Sequence, residues 1–418
     1  MLRRILPWLS GLVLLVVLAE GVCRIFFATI VGRSVLFYGT PLERATVSGE
    51  GQSPLLRTLQ QRQMRGVGDR NNSARLTDNQ LGSYAKYHPN QARSTYDVDT
   101  GEVYPVSINT RGFRGPEVSD EKPAGVVRIV TLGASSTFGY HARDDMTYPA
   151  QLQRALNAAC PSRKFEVINL GIPHLTSTQI LALFAAEGVR LHPDVVTFYE
   201  GFNDANEIGN KVESAAKPRR SGYSSTRWRK RFVRWMRDRF LVAALADALV
   251  TNWTQRFSPA QIAAETERIR GILLDNFATL AQMSREEGFT PILASQQARS
   301  QLVPREKVRG ITFKQEIELV SKELTERESV DRKGAALLVH AALLEAEAEW
   351  ARQHGVPFAD VLQALDPRRD TLVSWVHLSH EGNQIIAQQL AASILPSMCP
   401  DQARPAAAST ALAHPPSE

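Results

Sequence analysis

Cysteine is scarce in this chain: there are three in 418 residues, at positions 23, 160 and 399. Such a count excludes a disulfide-dense scaffold and leaves an apolar core to carry the fold. The nine histidines show no metal-ligand spacing, so no metal is expected. Charge is not one-sided: the net value of +6 is modest and much of the excess is local, so the whole chain does not read as a nucleic-acid binder. No internal repeat is evident. What remains is ordinary globular composition, 43% hydrophobic and 22% charged, in a chain long enough for one large domain or two ordinary ones.

Long apolar runs are also few, and the main one lies at the start. After Arg3 and Arg4 come the fifteen uncharged residues ILPWLSGLVLLVVLA, then Glu20, Arg24 and a second apolar run, IFFATIV. The first run alone suits a signal-peptide core and falls short of the ~20 residues of a membrane span. No small-x-small cleavage site follows, and Glu20 and Arg24 stand four apart, the order that lets them pair on a helix. Residues 1–32 therefore predict an uncleaved signal anchor spanning 5–32. Arg3 and Arg4 would lie inside and the body would be exported; a cleaved signal peptide is the alternative. Export would let Cys160 and Cys399 form a disulfide, with two buried thiols as the other possibility.

Residues 33–125 form a mixed extension with no strong period, expected to hold loops, short strands and a lid-like or docking role. From 126 onward apolar runs alternate with helical patterns. VVRIVTL, FEVIN, DVVTFYEG, TPILAS and VPFADVL read as strands. The segments from YPAQLQRALNAAC to SHEGNQIIAQQLAASIL read as helices. This alternation predicts an α/β domain over 126–400 with a mostly parallel sheet covered on both faces and a site at the strand C-terminal ends. An insertion at about 205–258 contains a basic amphipathic helix near 227–240 with Trp228, Phe232, Trp235 and Met236 on one face. That pattern suits anionic lipid, or a solvated helix packed on the domain. The tail 401–418 reads as disordered.

The chemistry should sit where LGASSTFG (132–139) ends the first strand. This stretch is neither G-x-G-x-x-G, nor a P-loop, nor a G-x-S-x-G elbow. It offers a serine before a helix N-terminus, and alone that is an ordinary turn. The later strands end in NLGIPHLTS and EGFNDA, and WVHLSHEGN precedes the last helix. Taken in order, these blocks resemble those of the SGNH or GDSL-type hydrolases over roughly residues 126–395. Gly133-Ala134-Ser135 stands for Gly-Asp-Ser, Gly201-Phe202-Asn203-Asp204 for Gly-x-Asn-Asp, and His377 with Gly382 for the histidine block. The segment NTRGFRG with the N-terminal anchor is similar to membrane-anchored bacterial members.

The resemblance implies a three-layer flavodoxin-like parallel sheet and a serine esterase needing no cofactor. Ser135 would be the nucleophile and His377 the general base. The Ser135 N–H, the Asn203 amide and the His174 N–H would form the oxyanion hole, with Gly171 as the alternative to His174. Three positions depart from the pattern. Ala134 replaces Asp beside the nucleophile, His174 replaces a glycine, and Ser374 stands where an aspartate should orient His377. Asp370 or Asp366 would substitute if the loop folds back, or a backbone carbonyl would support a Ser–His dyad. His380, His141 and His192 are expected to have no catalytic part. The implied substrate is an acyl or O-acetyl ester of cell-envelope carbohydrate or lipid, with the membrane as a second partner and no nucleic acid. An O-acetyltransferase acting on a polysaccharide and an inactive binding or assembly protein are the alternatives.

Overall fold

The computed structural model describes residues 75–79, 82–91, 93–209, 256–300, 303 and 308–399, with helical positions at 11, 13–22 and 25 and at 236. Most of the expected anchor 5–32, the basic segment 227–240 apart from Met236, and the tail 401–418 lie outside the described residues. Among the described residues no helix is long and apolar enough to cross a membrane.

Two hairpins come first: β1 (Arg75–Asn79) with β2 (Gly82–Lys86), and β3 (Arg93–Tyr96) with β4 (Val103–Val106), both antiparallel. The central strand β5 (Val126–Gly133) is buried along its whole length, as a parallel strand covered on both faces must be. It runs into a one-turn helix α1 (Ser135–Phe138). Helix α2 (Tyr148–Ala159) follows, its start set by the Thr147 side chain and by proline in the first turn. Next come β6 (Lys164–Asn169), α3 (Ser177–Leu183), β7 (Val195–Tyr199) and the short α4 (Phe202–Ala205).

Beyond the insertion, β8 (Arg256–Phe257) leads into the long helix α5 (Pro259–Glu287). A Ser258–Gln261 capping box opens α5 and left-handed Gly288 closes it. Then follow β9 (Thr290–Ala294), α6 (Phe313–Arg327), β10 (Val330–Asp331, paired with β8) and α7 (Arg332–His354). The chain ends in β11 (Phe358–Ala359), α8 (Val361–Leu365) and α9 (His380–Met398). The expected strand VPFADVL is thus cut to two residues. The Asp360 side chain accepts the Gln363 N–H and starts α8. Helix α6 was not expected from the sequence.

The main sheet is all parallel with order β11-β9-β7-β5-β6. In chain order this is the flavodoxin-like arrangement, whose crevice opens beside the first strand at the C-terminal ends. One apolar cluster, containing Leu152, Leu156, Ile386 and Leu390, packs α2 and α9 on one face. A second, containing Ile180, Phe277 and Leu343, packs α3, α5 and α7 on the other. Cys160 and Cys399, at the ends of α2 and α9, are joined as a disulfide.

Candidate active site

The serine, His174 and Asn203 blocks follow β5, β6 and β7, and the histidine loop before α9 reaches the serine. Gly133 pairs with Tyr199 across β5 and β7, which sets the Ser135 turn beside the Gly201–Asp204 turn. Gly133 tolerates no side chain, because a Cβ there would stand 2.6 Å from the Tyr199 carbonyl oxygen. The Ser135 hydroxyl lies 2.8 Å from His377 Nε2. On the far side of the ring, His377 Nδ1 is 2.7 Å from the Ser374 hydroxyl, which also accepts the His377 backbone N–H at 3.2 Å. The loop reverses on itself through Val373 N–H to His377 O at 2.9 Å, and this brings position 374 under the imidazole.

The structure therefore places a serine, not a carboxylate, behind the histidine. The Asp370 carboxylate is held by Arg368 at 3.2 Å and faces Arg309 at 3.9 Å. Asp366 accepts from the Phe313 N–H and from Gln297. Neither aspartate occupies the position behind His377, which corrects the expectation of a folded-back acid. Gly171 is likewise corrected as an oxyanion donor: its N–H is spent on Asn169 Oδ1 at 2.8 Å. What Gly171 supplies is closeness, since a Cβ there would stand 2.2 Å from the Phe138 nitrogen. His174 is exposed and takes a left-handed backbone with φ 69°, the region that favours the glycine it replaces. The Asn203 amide donates to Leu175 O at 2.9 Å, which fixes the orientation of its planar group.

Other residues hold the site, and the sequence did not single them out. Gln296, just past β9, accepts the Phe202 N–H at 2.9 Å and lies 3.4 Å from the Ser136 hydroxyl. Ser136 in turn donates to Val376 O at 2.8 Å, so one network joins the serine helix, the asparagine turn and the histidine loop. The rings of Tyr140 and His141 each stand edge-on to His377 at 5.2 Å between centroids. His141 was expected to have no role and instead walls the imidazole.

The extension reaches the same loop. Buried Arg114, from NTRGFRG, donates to the Phe138, Gly139 and Ala142 carbonyls at 3.0, 2.7 and 2.7 Å and pairs with Asp144 at 2.8 Å. Asp97 accepts His380 Nε2 at 2.6 Å and the Arg143 N–H at 3.0 Å. Burial works against the Asp97 carboxylate, yet the hydrogen bonds from His380, Arg143 and Thr100 hold it below its usual range.

Two buried acids flank the asparagine turn. Burial pushes Glu200 up to about 8, against the pull of its hydrogen bond from the Asn203 N–H; the nearby Asp204 charge adds to the rise. Burial likewise raises Asp204 to about 6, despite two hydrogen bonds from Ser177 at 2.9 and 2.6 Å. His340, whose Nε2 lies 2.7 Å from Gln296 O, is lowered by burial to about 4 and stays neutral.

Among solved structures, the chain is similar to a putative lipolytic protein of the G-D-S-L family from Desulfitobacterium hafniense DCB-2. The identity is 13%, 64% of this chain and 99% of that one are covered, and the TM-score is 0.38. It is similar to the lipase/acylhydrolase from Enterococcus faecalis at 16% identity, covering 64% and 94%, with a TM-score of 0.34. A carbohydrate acetylesterase family member from Sinorhizobium meliloti is similar at 14%, covering 64% and 97%, with a TM-score of 0.36. TM-scores this low carry no argument about activity. The curated proteins give no match. Residues 131–303 match the model of the GDSL-like Lipase/Acylhydrolase family.

Proposed function

We propose that the protein is an exported, membrane-anchored serine esterase that acts on acyl or O-acetyl esters of cell-envelope carbohydrate or lipid. The observation that carries the esterase reading is the 2.8 Å contact between the Ser135 hydroxyl and His377 Nε2. With its Nδ1 proton donated to Ser374, the imidazole presents the Nε2 lone pair to the serine. His377 takes the Ser135 proton as the hydroxyl attacks the ester carbonyl. The tetrahedral oxyanion is met by the Ser135 N–H, by the His174 N–H and by the Asn203 amide, whose second hydrogen is not committed to Leu175. The imidazolium then returns its proton to the departing alcohol. Water, activated by the same histidine, releases the acid from Ser135.

Export and anchoring rest on other features. The Cys160–Cys399 bond suits an oxidising compartment. Val13, Leu14, Leu15, Val17, Leu18, Val22 and Ile25 present exposed apolar side chains on the N-terminal helical residues. The substrate class follows from that location and is the finest part of the proposal.

The test is labelling of the full chain in detergent with a fluorophosphonate. Labelling of wild type that is lost in Ser135→Ala and falls sharply in His377→Ala supports the esterase. A folded wild type that does not label overturns it. Acyl release faster with an added sugar than with water alone would instead identify an acyltransferase.

A further inference from the structure

Glu200 is a carboxyl with nowhere to meet water, placed between the two turns that carry the reaction. It directly follows β7 and is buried. Its Oε1 accepts the Asn203 N–H at 2.8 Å, and the backbone N–H groups of Gly201 and Ala134 lie near enough to favour its charge. Ala134 is the residue before the nucleophile, and it enters α1 with no side-chain cap of its own. Asn203 carries the side-chain oxyanion donor. One buried side chain thus holds the turn after β7 and faces the end of β5, on the strand pair that lines the crevice.

We propose that Glu200, in its protonated form, is a positioning residue that holds the Ser135 turn and the Asn203 turn in their reactive arrangement. We propose further that its ionisation switches the esterase down at alkaline pH. The inference rests on the esterase reading above.

The physical reason is the sign of charge. Acyl transfer places negative charge on the substrate oxygen between Ser135, which is buried, and Asn203. A carboxylate directly behind both donors opposes that charge, whereas a neutral acid accepts the same N–H groups without opposing it. The surroundings favour the neutral acid. The phenols of Tyr148, from α2, and Tyr199, from β7, are held neutral by burial, which pushes both well up. His340, on α7, is neutral because burial lowers it. Glu347, on the same helix, is raised by burial. Asp204, on α4, adds a like charge once it ionises, and His377 is the cation that forms transiently across Ser135. No permanent cation within this group offsets a Glu200 carboxylate.

The experiment compares kcat/KM for a small p-nitrophenyl ester, and the rate of fluorophosphonate labelling, across about pH 5.5–10 in wild type, Glu200→Gln and Glu200→Ala. Glutamine keeps an acceptor oxygen and cannot ionise. The expected result is an alkaline decline in wild type centred near 8. That decline should be absent in Glu200→Gln, which otherwise keeps wild-type activity near neutrality. Glu200→Ala should lose roughly 10²-fold at every pH, the scale of one displaced oxyanion donor. A circular dichroism spectrum matching wild type would show that the alanine variant is folded. An alkaline limb unchanged in Glu200→Gln, a wild type with no such limb, or a fully active alanine variant overturns the proposal. A wild type that neither labels nor turns over fails at the esterase reading itself and takes this inference with it.

Discussion

At the scale of single residues, the site turns on what stands behind His377. A serine hydroxyl can accept the Nδ1 proton and so support the tautomer that an aspartate would enforce, but it brings no negative charge to stabilise the imidazolium. Ser374→Ala should therefore lower kcat/KM by about 10–10²-fold, less than the ~10⁴-fold cost of a wrong tautomer in a charged triad. Ser374→Asp should raise the plateau rate and move the acid limb of the pH profile upward. A carboxylate there favours the protonated imidazole, and only the neutral ring can take the Ser135 proton. A pH–rate series on the three proteins checks both. An acid limb that moves down in Ser374→Asp would contradict the geometry.

Glu200 gives a second prediction at this scale, on stability. Its folded value, about 8, lies above the ~4.3 of a free glutamate, so the native state holds this proton more tightly than the unfolded chain. The stability tied to that proton is fully present below about pH 4 and is lost as pH rises through 8. Glu200→Gln should thus melt higher than wild type near pH 9, with the gap closing towards pH 5. Melting curves at the two pH values measure it.

Among the elements, the loop from Phe138 to Asp144 is held by the extension. Arg114 closes the C-terminal end of α1 by binding the carbonyls of its last residue, Phe138, of the following Gly139 and of Ala142, work that the one-turn helix cannot do for itself. Arg114→Met keeps much of the apolar stem but leaves these acceptors and Asp144 without their donor. It should cost about 3 kcal/mol in denaturant unfolding and slow Ser135 labelling, because Tyr140 and His141 then lose their fixed place against His377. Lysine at 114 should recover only part of this, having a point charge where a fork is needed.

How legible each element was depends on where its signal resides. The strands that carry Ser135, His174 and Asn203 are apolar runs stopped by turn residues, so a one-dimensional reading finds them in order. Helix α6 escaped because it buries little: only Phe313, Glu316 and Val320 are fully buried, with Ile317 and Leu324 partly so, and the polar remainder resembles a loop. The part played by Ser374, seen in the sequence only as a departure from the pattern, and by Gln296 escaped for another reason. Their roles exist only once the 373–377 reversal and the β7–β9 pairing bring distant residues together. Asp370 misled because Arg368, two residues earlier, captures it, and which carboxylate an arginine takes is not legible from the sequence.

Across the whole molecule, function and stability are placed at opposite poles. The reactive turns cap the C-terminal ends of β5 and β7. Crossover helices run against their strands, so α2 and α9 finish at the N-terminal pole, where Cys160 and Cys399 join. The bond closes a stretch of 239 residues, and loop entropy sets a ceiling of about 5 kcal/mol on its contribution. The two functions should therefore separate on mutation. Cys399→Ser, or reduction of the wild type, should lower denaturant stability by about 3–5 kcal/mol while leaving the Ser135 labelling rate of the folded protein unchanged. A reduced protein that stays folded but labels slowly would show that strain travels from one pole to the other. A reduced protein as stable as the oxidised one would remove the disulfide as a reason to place this domain in an oxidising compartment.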